Sequence, residues 1–173
     1  MCYFLTVAVP VRHAHRIGEV FGRGFQTRAT ANPSIIVALP AGYTPCVVTS
    51  GDCSCDLYAK PTSPAALDPT VHLRRKYEKL GWSAAKIQRA LDQAAASSAK
   101  LNRPTSGVRD DVTDCLGALC RAAGSVALLV HWYSGDLETE RLTLHRAPPC
   151  ESSALRSRAQ HLAEDEILIA IMG

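Results

Sequence analysis

Residues 112–133, VTDCLGALCRAAGSVALLVHWY, hold a helix pattern followed by a strand pattern, and they decide the class of the fold. From Val112 onward, apolar residues recur every three or four positions, which predicts an amphipathic helix up to Ala123. Val126 to Tyr133 is then nearly unbroken in its apolar character, as expected of a strand covered by other elements. An amphipathic helix beside a buried strand indicates helices packed on a sheet.

The same two patterns recur on both sides of this stretch. Apolar runs predict further buried strands at 2–9, 34–39 and 167–172, of which the last is expected to be central in the sheet. Further helices are predicted from apolar residues at helical spacing. They lie near 14–25, 73–80, 83–95 and 152–162.

Two segments are predicted to form hairpins, at about 45–58 and about 126–146, each around a Ser-Gly-Asp turn. A helical region at about 68–123 lies between them. The sequence therefore predicts a single α+β domain over residues 1–173. This domain would have a mixed β-sheet with the two hairpins and four to five packed helices.

Composition and charge exclude several classes of protein. The chain has 173 residues, 47% of them apolar, and a net charge of +3, which excludes a disordered or collagen-like chain. No apolar run approaches the roughly 20 residues that a membrane helix needs. The first residues are typical of a strand and lack the features of a secretion signal, so we expect a cytoplasmic protein. Arginine outnumbers lysine 14 to 5, a bias typical of GC-rich bacterial genomes.

The chain contains seven cysteines, an odd number that argues against a full disulfide framework. Cys46, Cys53 and Cys55 fall on the first predicted hairpin, whose two strands would bring them together. Thiolates bind zinc, and a tetrahedral zinc site needs four donors, so His131 or His72 would supply the fourth. The alternative is that Cys53 and Cys55 lie on one face of a strand as small core residues.

Two further residues are candidates for catalysis. Cys2 follows the initiator methionine, and removal of that methionine would leave a cysteine whose own amine can act as a base. This start resembles that of class II glutamine amidotransferases, which also open with Met-Cys and a strand, although Tyr3 replaces the glycine typical of that family. The resemblance implies a nucleophilic role for Cys2. His131 ends a buried strand, where its imidazole could act as a base or a ligand, or could equally be hydrogen-bonded in the core.

The segment 71–89 is strongly basic. It has six basic side chains against one acidic one, a local charge of +5 that could bind nucleic acid or an acidic protein partner. Its helix, turn and helix resemble a helix-turn-helix motif in outline, and Leu80-Gly81-Trp82 resembles part of a ubiquitin-associated module. The alternative is that the charges form the solvated face of an amphipathic helix. The basic side chains are Arg74, Arg75, Lys76, Lys79, Lys86 and Arg89.

These patterns support two hypotheses of different classes. In the first, a small cytosolic protein has a cysteine-centred metal or thiol site at 46–55, with zinc as the candidate cofactor. Four protein ligands would make the zinc structural, whereas an open coordination position or a thiolate near His131 would make the protein an enzyme. In the second, a non-catalytic protein uses the basic face at 71–89 to bind nucleic acid or an acidic protein. Neither hypothesis involves a membrane.

Overall fold

A computed structural model of the chain describes residues 2–22, 24–59, 77, 82–100 and 107–173, and for 94–100 it describes the backbone. The chain divides into two compact units, Met1–Pro61 together with Pro104–Gly173, and Thr62–Arg103. The first unit is a mixed sheet with helices packed on it, so the predicted α+β class is confirmed.

Seven strands form the main sheet of the first unit, and two short strands pair separately. In chain order the strands are β1 (Cys2–Pro10), β2 (Gln26–Ala29), β3 (Tyr43–Thr49), β4 (Tyr58–Ala59), β5 (Gly107–Val108), β6 (Ser125–Tyr133), β7 (His145–Arg146), β8 (Cys150–Glu151) and β9 (Glu166–Ile171). The order in the main sheet is β2-β3-β1-β6-β9-β7, with β8 also paired to β9. All its pairs are antiparallel except those of β9 with β7 and β8, and β4 pairs with β5.

Five helices are described. They are α1 (His15–Phe21), α2 (Pro33–Ala38), α3 (Ala84–Lys100), α4 (Asp110–Ala123) and α5 (Leu155–Gln160). Only α3 belongs to the second unit. The helix and strand predicted within residues 112–133 are confirmed as α4 followed by β6. Between them Gly124 ends the helix in the left-handed conformation, at φ +81°, which glycine adopts without a steric penalty.

Both faces of the main sheet are covered, which explains why β1 and β6 are almost entirely apolar. On one face, Leu5 and Val7 of β1 and Leu128 of β6 pack with residues of α1, α4 and α5. On the other, Ala8 and Leu129 pack with residues of α2. The predicted strands at 2–9 and 167–172 are confirmed, and the second of them, β9, lies inside the sheet between β6 and β7.

The predicted hairpin at about 45–58 is wrong. β3 pairs with β1 and β2, and residues 50–57 form bends and turns instead of a returning strand. A strand has two edges, and both edges of β3 are taken by strands from earlier in the chain. Tyr58–Ala59 then pairs with β5.

The predicted hairpin at about 126–146 is also wrong. Both edges of β6 are taken by the long apolar strands β1 and β9, so no edge remains for a partner from 137–146. The segment 134–144 instead crosses one face of the sheet, where Leu137, Leu142 and Leu144 pack into apolar clusters. His145–Arg146 then pairs in parallel with β9.

The predicted strand at 34–39 is the helix α2. The Asn32 side chain accepts a hydrogen bond from the Ser34 amide, and Pro33 occupies the first turn, so the helix start has both a cap and a preset φ. A short apolar run is compatible with a buried strand or a buried helix, and the cap at Asn32 favours the helix here. The predicted helix at 73–80 lies outside the described residues except for Tyr77.

Candidate functional site

Three cysteine thiols converge at the start of β1. The Sγ atoms of Cys2, Cys53 and Cys55 all lie within 4.8 Å of one another, and each residue is half-buried. A zinc–sulfur bond of about 2.3 Å in tetrahedral geometry places two sulfurs about 3.8 Å apart. The three thiols therefore need only small rotations to become ligands of one ion.

Ser54 holds the two later cysteines against β1. Its amide donates to the Tyr3 carbonyl at 2.9 Å, and its hydroxyl accepts from the Leu5 amide at 2.9 Å. The same hydroxyl donates to the Val48 carbonyl at 2.6 Å, and the residue is fully buried. Ser54 thus continues the hydrogen bonding of β1 beyond its last pair with β3, which is Leu5 with Val48. Its two chain neighbours are thereby positioned beside Cys2.

The thiol of Cys55 is protonated at neutral pH. Burial raises its pKa to about 11, and hydrogen bonding to Cys53 adds to this effect. The Tyr3 amide donates to the Cys55 Sγ at 3.4 Å and acts in the opposite direction, because it stabilises the thiolate. A metal ion at this site would displace the proton of Cys55 and would find an amide donor already directed at the sulfur.

The structure brings together two of the three predicted thiol ligands and replaces the third. Cys46 lies in β3, opposite Val7 of β1, and is not among the three clustered thiols. It packs against the core, and burial raises its pKa. Cys2, predicted as a nucleophile, takes its place because the start of β1 lies next to Ser54. The sequence signals were Cys-Ser-Cys and a cysteine opening a strand, but their meeting depends on how the strands pair.

His131 is engaged elsewhere and is not a fourth ligand of the thiol cluster. Its Nδ1 is hydrogen-bonded to the Asp165 carboxylate, and its Nε2 lies 3.7 Å from Oε1 of Glu140. His72, the other predicted fourth ligand, lies outside the described residues.

The basic face is only partly described. Arg74, Arg75, Lys76 and Lys79 lie outside the described residues, whereas Lys86 and Arg89 lie on α3. The Nζ of Lys86 sits 4.1 Å from the centre of the Trp82 ring, and Trp82 stacks on Tyr77 with ring centres 4.5 Å apart. Such a cation–π contact holds Lys86 against its own unit.

Comparison with known proteins identifies no family. The chain matches no protein-family model, no curated protein and no solved structure. Within the described ranges, every helix is too short or too polar to cross a bilayer. Function therefore has to be inferred from the geometry and chemistry of the site residues.

Proposed function

We propose that this protein binds one thiophilic metal ion, with Zn²⁺ as the first assignment, through Cys2, Cys53 and Cys55. The observation that carries the proposal is the convergence of their three Sγ atoms within 4.8 Å. Thiolate is the ligand that zinc and other soft or borderline ions prefer, and oxygen-preferring ions such as Mg²⁺ avoid it.

The surroundings of the three thiols support ligation over simple packing. Cys120, a core cysteine, is fully buried in the main apolar cluster. The three clustered thiols are half-buried, as Cys46 is, but unlike Cys46 they lie within 4.8 Å of one another, and, besides burial, contacts with Cys53 and Cys2 contribute to the raised pKa of Cys55. Polar contacts among thiols at an accessible surface are typical of metal or redox chemistry, and a cysteine that only fills space is typically surrounded by apolar atoms.

The number of ligands bears on what the ion would do. Three protein ligands are present among the described residues, so a tetrahedral ion would take a fourth donor from water, from a bound molecule or from outside these residues. Reactive zinc sites have three protein ligands and one exchangeable position, whereas structural sites have four. Identifying the fourth donor would therefore distinguish an enzyme from a zinc-stabilised binding module.

The first test is the metal content of the untagged protein, purified without chelator. We expect about one zinc ion per chain, and replacement by Co²⁺ should give intense sulfur-to-metal charge-transfer absorption. Cys55→Ala and Cys53→Ala should lose the metal, whereas Cys46→Ala, a half-buried cysteine outside the cluster, should keep it.

Two results would contradict the proposal. One is wild-type protein that binds no metal even after reconstitution with Zn²⁺ under reducing conditions. The other is unchanged metal content in Cys55→Ala. A disulfide between two of the clustered thiols in protein purified under reducing conditions would assign the cluster to redox chemistry instead.

The basic segment at 71–89 supports a second candidate function, binding of nucleic acid or an acidic protein. Its local charge of +5 is the observation in favour. Retention on an anionic matrix should fall with salt and should be lost in the triple variant Arg74→Ala, Arg75→Ala, Lys76→Ala.

A matched control keeps the change in net charge constant. The triple variant Arg12→Ala, Arg16→Ala, Arg28→Ala removes three exposed arginines of the first unit. It should be retained like the wild type if the segment 71–89 is the binding surface. Equal loss in the two triple variants would show that only net charge matters and would exclude a defined basic surface.

A further inference from the structure

A second cluster of potential ligands surrounds His131 at the end of β6. Asp165 directly precedes β9, and its amide donates to the Val130 carbonyl at 2.9 Å. Its own carbonyl accepts from the His145 amide at 2.9 Å, so its backbone is held by both neighbouring strands. Asp165 has a φ of +67° and is the one non-glycine residue in the described ranges with a positive φ. A positive φ is a strained backbone conformation for a residue other than glycine. Such strain is often found at functional sites, where the rest of the fold maintains it.

Carboxylates face the imidazole of His131 from both sides. Nδ1 is hydrogen-bonded to Asp165, and the ligand atoms of His131, Glu164 and Asp165 lie within 4.8 Å of one another. On the other side, Nε2 lies 3.7 Å from Oε1 of Glu140. The Glu140 carboxylate is held in place by the amides of Gly135, at 2.7 Å, and Ser134, at 3.1 Å.

The charge around this imidazole favours a cation. The carboxylates of Glu140 and Asp165 flank one histidine, and each of these two residues is less than fully exposed. Within the part of the chain that the structure describes, His131 is the one basic side chain within ion-pair distance of Glu140 or Asp165. Partly buried negative charge without an equal number of positive charges is stabilised by a bound cation.

Because Nε2 is buried, Nδ1 is the imidazole nitrogen that a bound ligand can reach. In a catalytic Asp–His pair, the nitrogen opposite the aspartate must reach the substrate. Here that nitrogen is buried, and among the described residues it has no hydrogen-bond partner. In this structure, therefore, Nε2 is not presented to a substrate.

A metal ion bound at Nδ1 would account for both the buried Nε2 and the carboxylates around the imidazole. Histidine ligands bind metal through one nitrogen and direct the other N–H at a carboxylate, which fixes the tautomer. Glu140, whose Oε1 lies 3.7 Å from Nε2 and is not hydrogen-bonded to it in this structure, is the carboxylate that would accept the Nε2 proton once a metal ion holds the imidazole. The ion would bind Nδ1 in place of the proton that Nδ1 now shares with Asp165, and Asp165 and Glu164 would be its other ligands. The ring of Tyr133 contacts the imidazole edge-on at 4.5 Å between centres, and its hydroxyl is a second buried polar group with no partner in the described ranges.

We propose that His131, Glu164 and Asp165 bind one divalent cation of the class that prefers nitrogen and oxygen ligands, such as Mn²⁺. Glu140 acts as a positioning residue that orients the imidazole. One imidazole with two carboxylates suits Mn²⁺ better than the thiophilic ions expected at Cys2, Cys53 and Cys55. The two sites share no residue, so the two proposals can be tested independently of each other.

The test is a titration of the full chain with Mn²⁺, followed by loss of the free-ion electron paramagnetic resonance signal. We expect one saturable site per chain. Asp165→Asn and Glu164→Gln should each weaken binding by at least about tenfold, because each removes a charged ligand. Asparagine also tolerates a positive φ, so Asp165→Asn should preserve the fold. Glu164→Gln gives a second measurement that does not involve the strained residue.

Controls separate this site from general acidity and from the thiol cluster. Glu19→Gln, which removes an exposed carboxylate on α1, and Cys55→Ala should bind Mn²⁺ like the wild type. Glu140→Ala should weaken binding by about tenfold or more, and Glu140→Gln, which keeps an oxygen for the Nε2 proton, should recover part of the loss. Absence of saturable Mn²⁺ binding in the wild type, or wild-type affinity in folded Asp165→Asn or Glu164→Gln, would overturn the proposal.

Discussion

Gly107 begins β5 at a point where the chain has no room for a side chain. Its φ is +64°, and a Cβ there would lie 2.2 Å from the carbonyl oxygen of Gln160 and 2.4 Å from its Cα. Those are backbone atoms at the end of α5, which cannot move without moving the helix. We expect Gly107→Ala to lower the free energy of unfolding by about 3 kcal/mol or more, from left-handed strain plus the clash. Urea denaturation at equilibrium would measure it.

Gly42 provides the matched control at the residue scale. It also has a positive φ, +80°, but a Cβ there would meet no atom within 4 Å. Gly42→Ala should therefore cost only the backbone strain, about 1 kcal/mol. Similar losses for the two variants would mean that the approach of Gly107 to Gln160 contributes nothing.

If Cys2, Cys53 and Cys55 bind Zn²⁺ as proposed, the thiol of Cys55 should make that binding dependent on pH. Its pKa is raised to about 11, mainly by burial, so it carries a proton that the metal must displace. Below that pKa, the apparent affinity for Zn²⁺ should fall by at least about tenfold for each unit by which the pH is lowered. Chelator competition between about pH 6.5 and pH 8 would show this slope, and Cys46→Ala should reproduce it. An affinity independent of pH would exclude Cys55 as a ligand.

At the scale of elements, Asn32 connects α2 to the segment that carries Glu140. Its side-chain oxygen caps α2 at the Ser34 amide, and its Nδ2 donates to the carbonyls of Leu137 and Glu140 at 3.0 and 2.9 Å. The residue is fully buried. Asn32→Ala would therefore remove a helix cap and leave two carbonyls without their donor.

We expect Asn32→Ala to lower the free energy of unfolding by about 2–4 kcal/mol, the sum of a lost cap and two unpaired carbonyls. Asn32→Asp keeps the capping oxygen but turns a buried carboxylate oxygen toward the same two carbonyls, so its loss should be at least as large as that of alanine. Val37→Ala, on the exposed face of the same helix, should change stability by less than about 0.5 kcal/mol. Thermal or urea unfolding of the three variants would rank them, and a neutral Asn32→Ala would show that the hydrogen bonds of Asn32 contribute nothing to stability.

At the scale of the whole molecule, we expect the first unit to fold without the second. All members of the three described apolar clusters lie outside residues 62–103. Ala59 and Gly107, which precede and follow residues 60–106 in the chain, pair with each other. A compact unit with its own core is expected to fold by itself.

A variant in which a short Gly-Ser linker replaces 62–103 should therefore unfold cooperatively and keep the wild-type stability of the first unit within about 1 kcal/mol. If zinc binds as proposed, this variant should bind it like the wild type, because Cys2, Cys53 and Cys55 all lie in the first unit. Retained folding with lost zinc would place the fourth ligand in the insertion, where His72 is the predicted donor. Loss of cooperative unfolding would instead show that residues 1–173 form one indivisible folding unit.

Local patterns in the sequence determined the class of the fold, the buried strands β1, β6 and β9, and the helix α4. Those features depend on the periodicity and length of apolar runs, which each segment carries by itself. The sequence also indicated Cys53, Cys55 and His131 as candidate ligands or catalytic residues. For 34–39 the apolar run was too short to separate a strand from a helix, and the cap at Asn32 decided.

Only the tertiary structure decided which strands pair, and with them which reactive side chains meet. Cys2 joins Cys53 and Cys55 because Ser54 hydrogen-bonds to β1, and the expected hairpin would have brought Cys46 there instead. His131 meets Asp165 and Glu140 because β9 pairs with β6 and residues 134–144 cross the sheet. All apolar strands compete for the same strand edges during pairing. The pattern of one segment therefore does not predict which strand will pair with it.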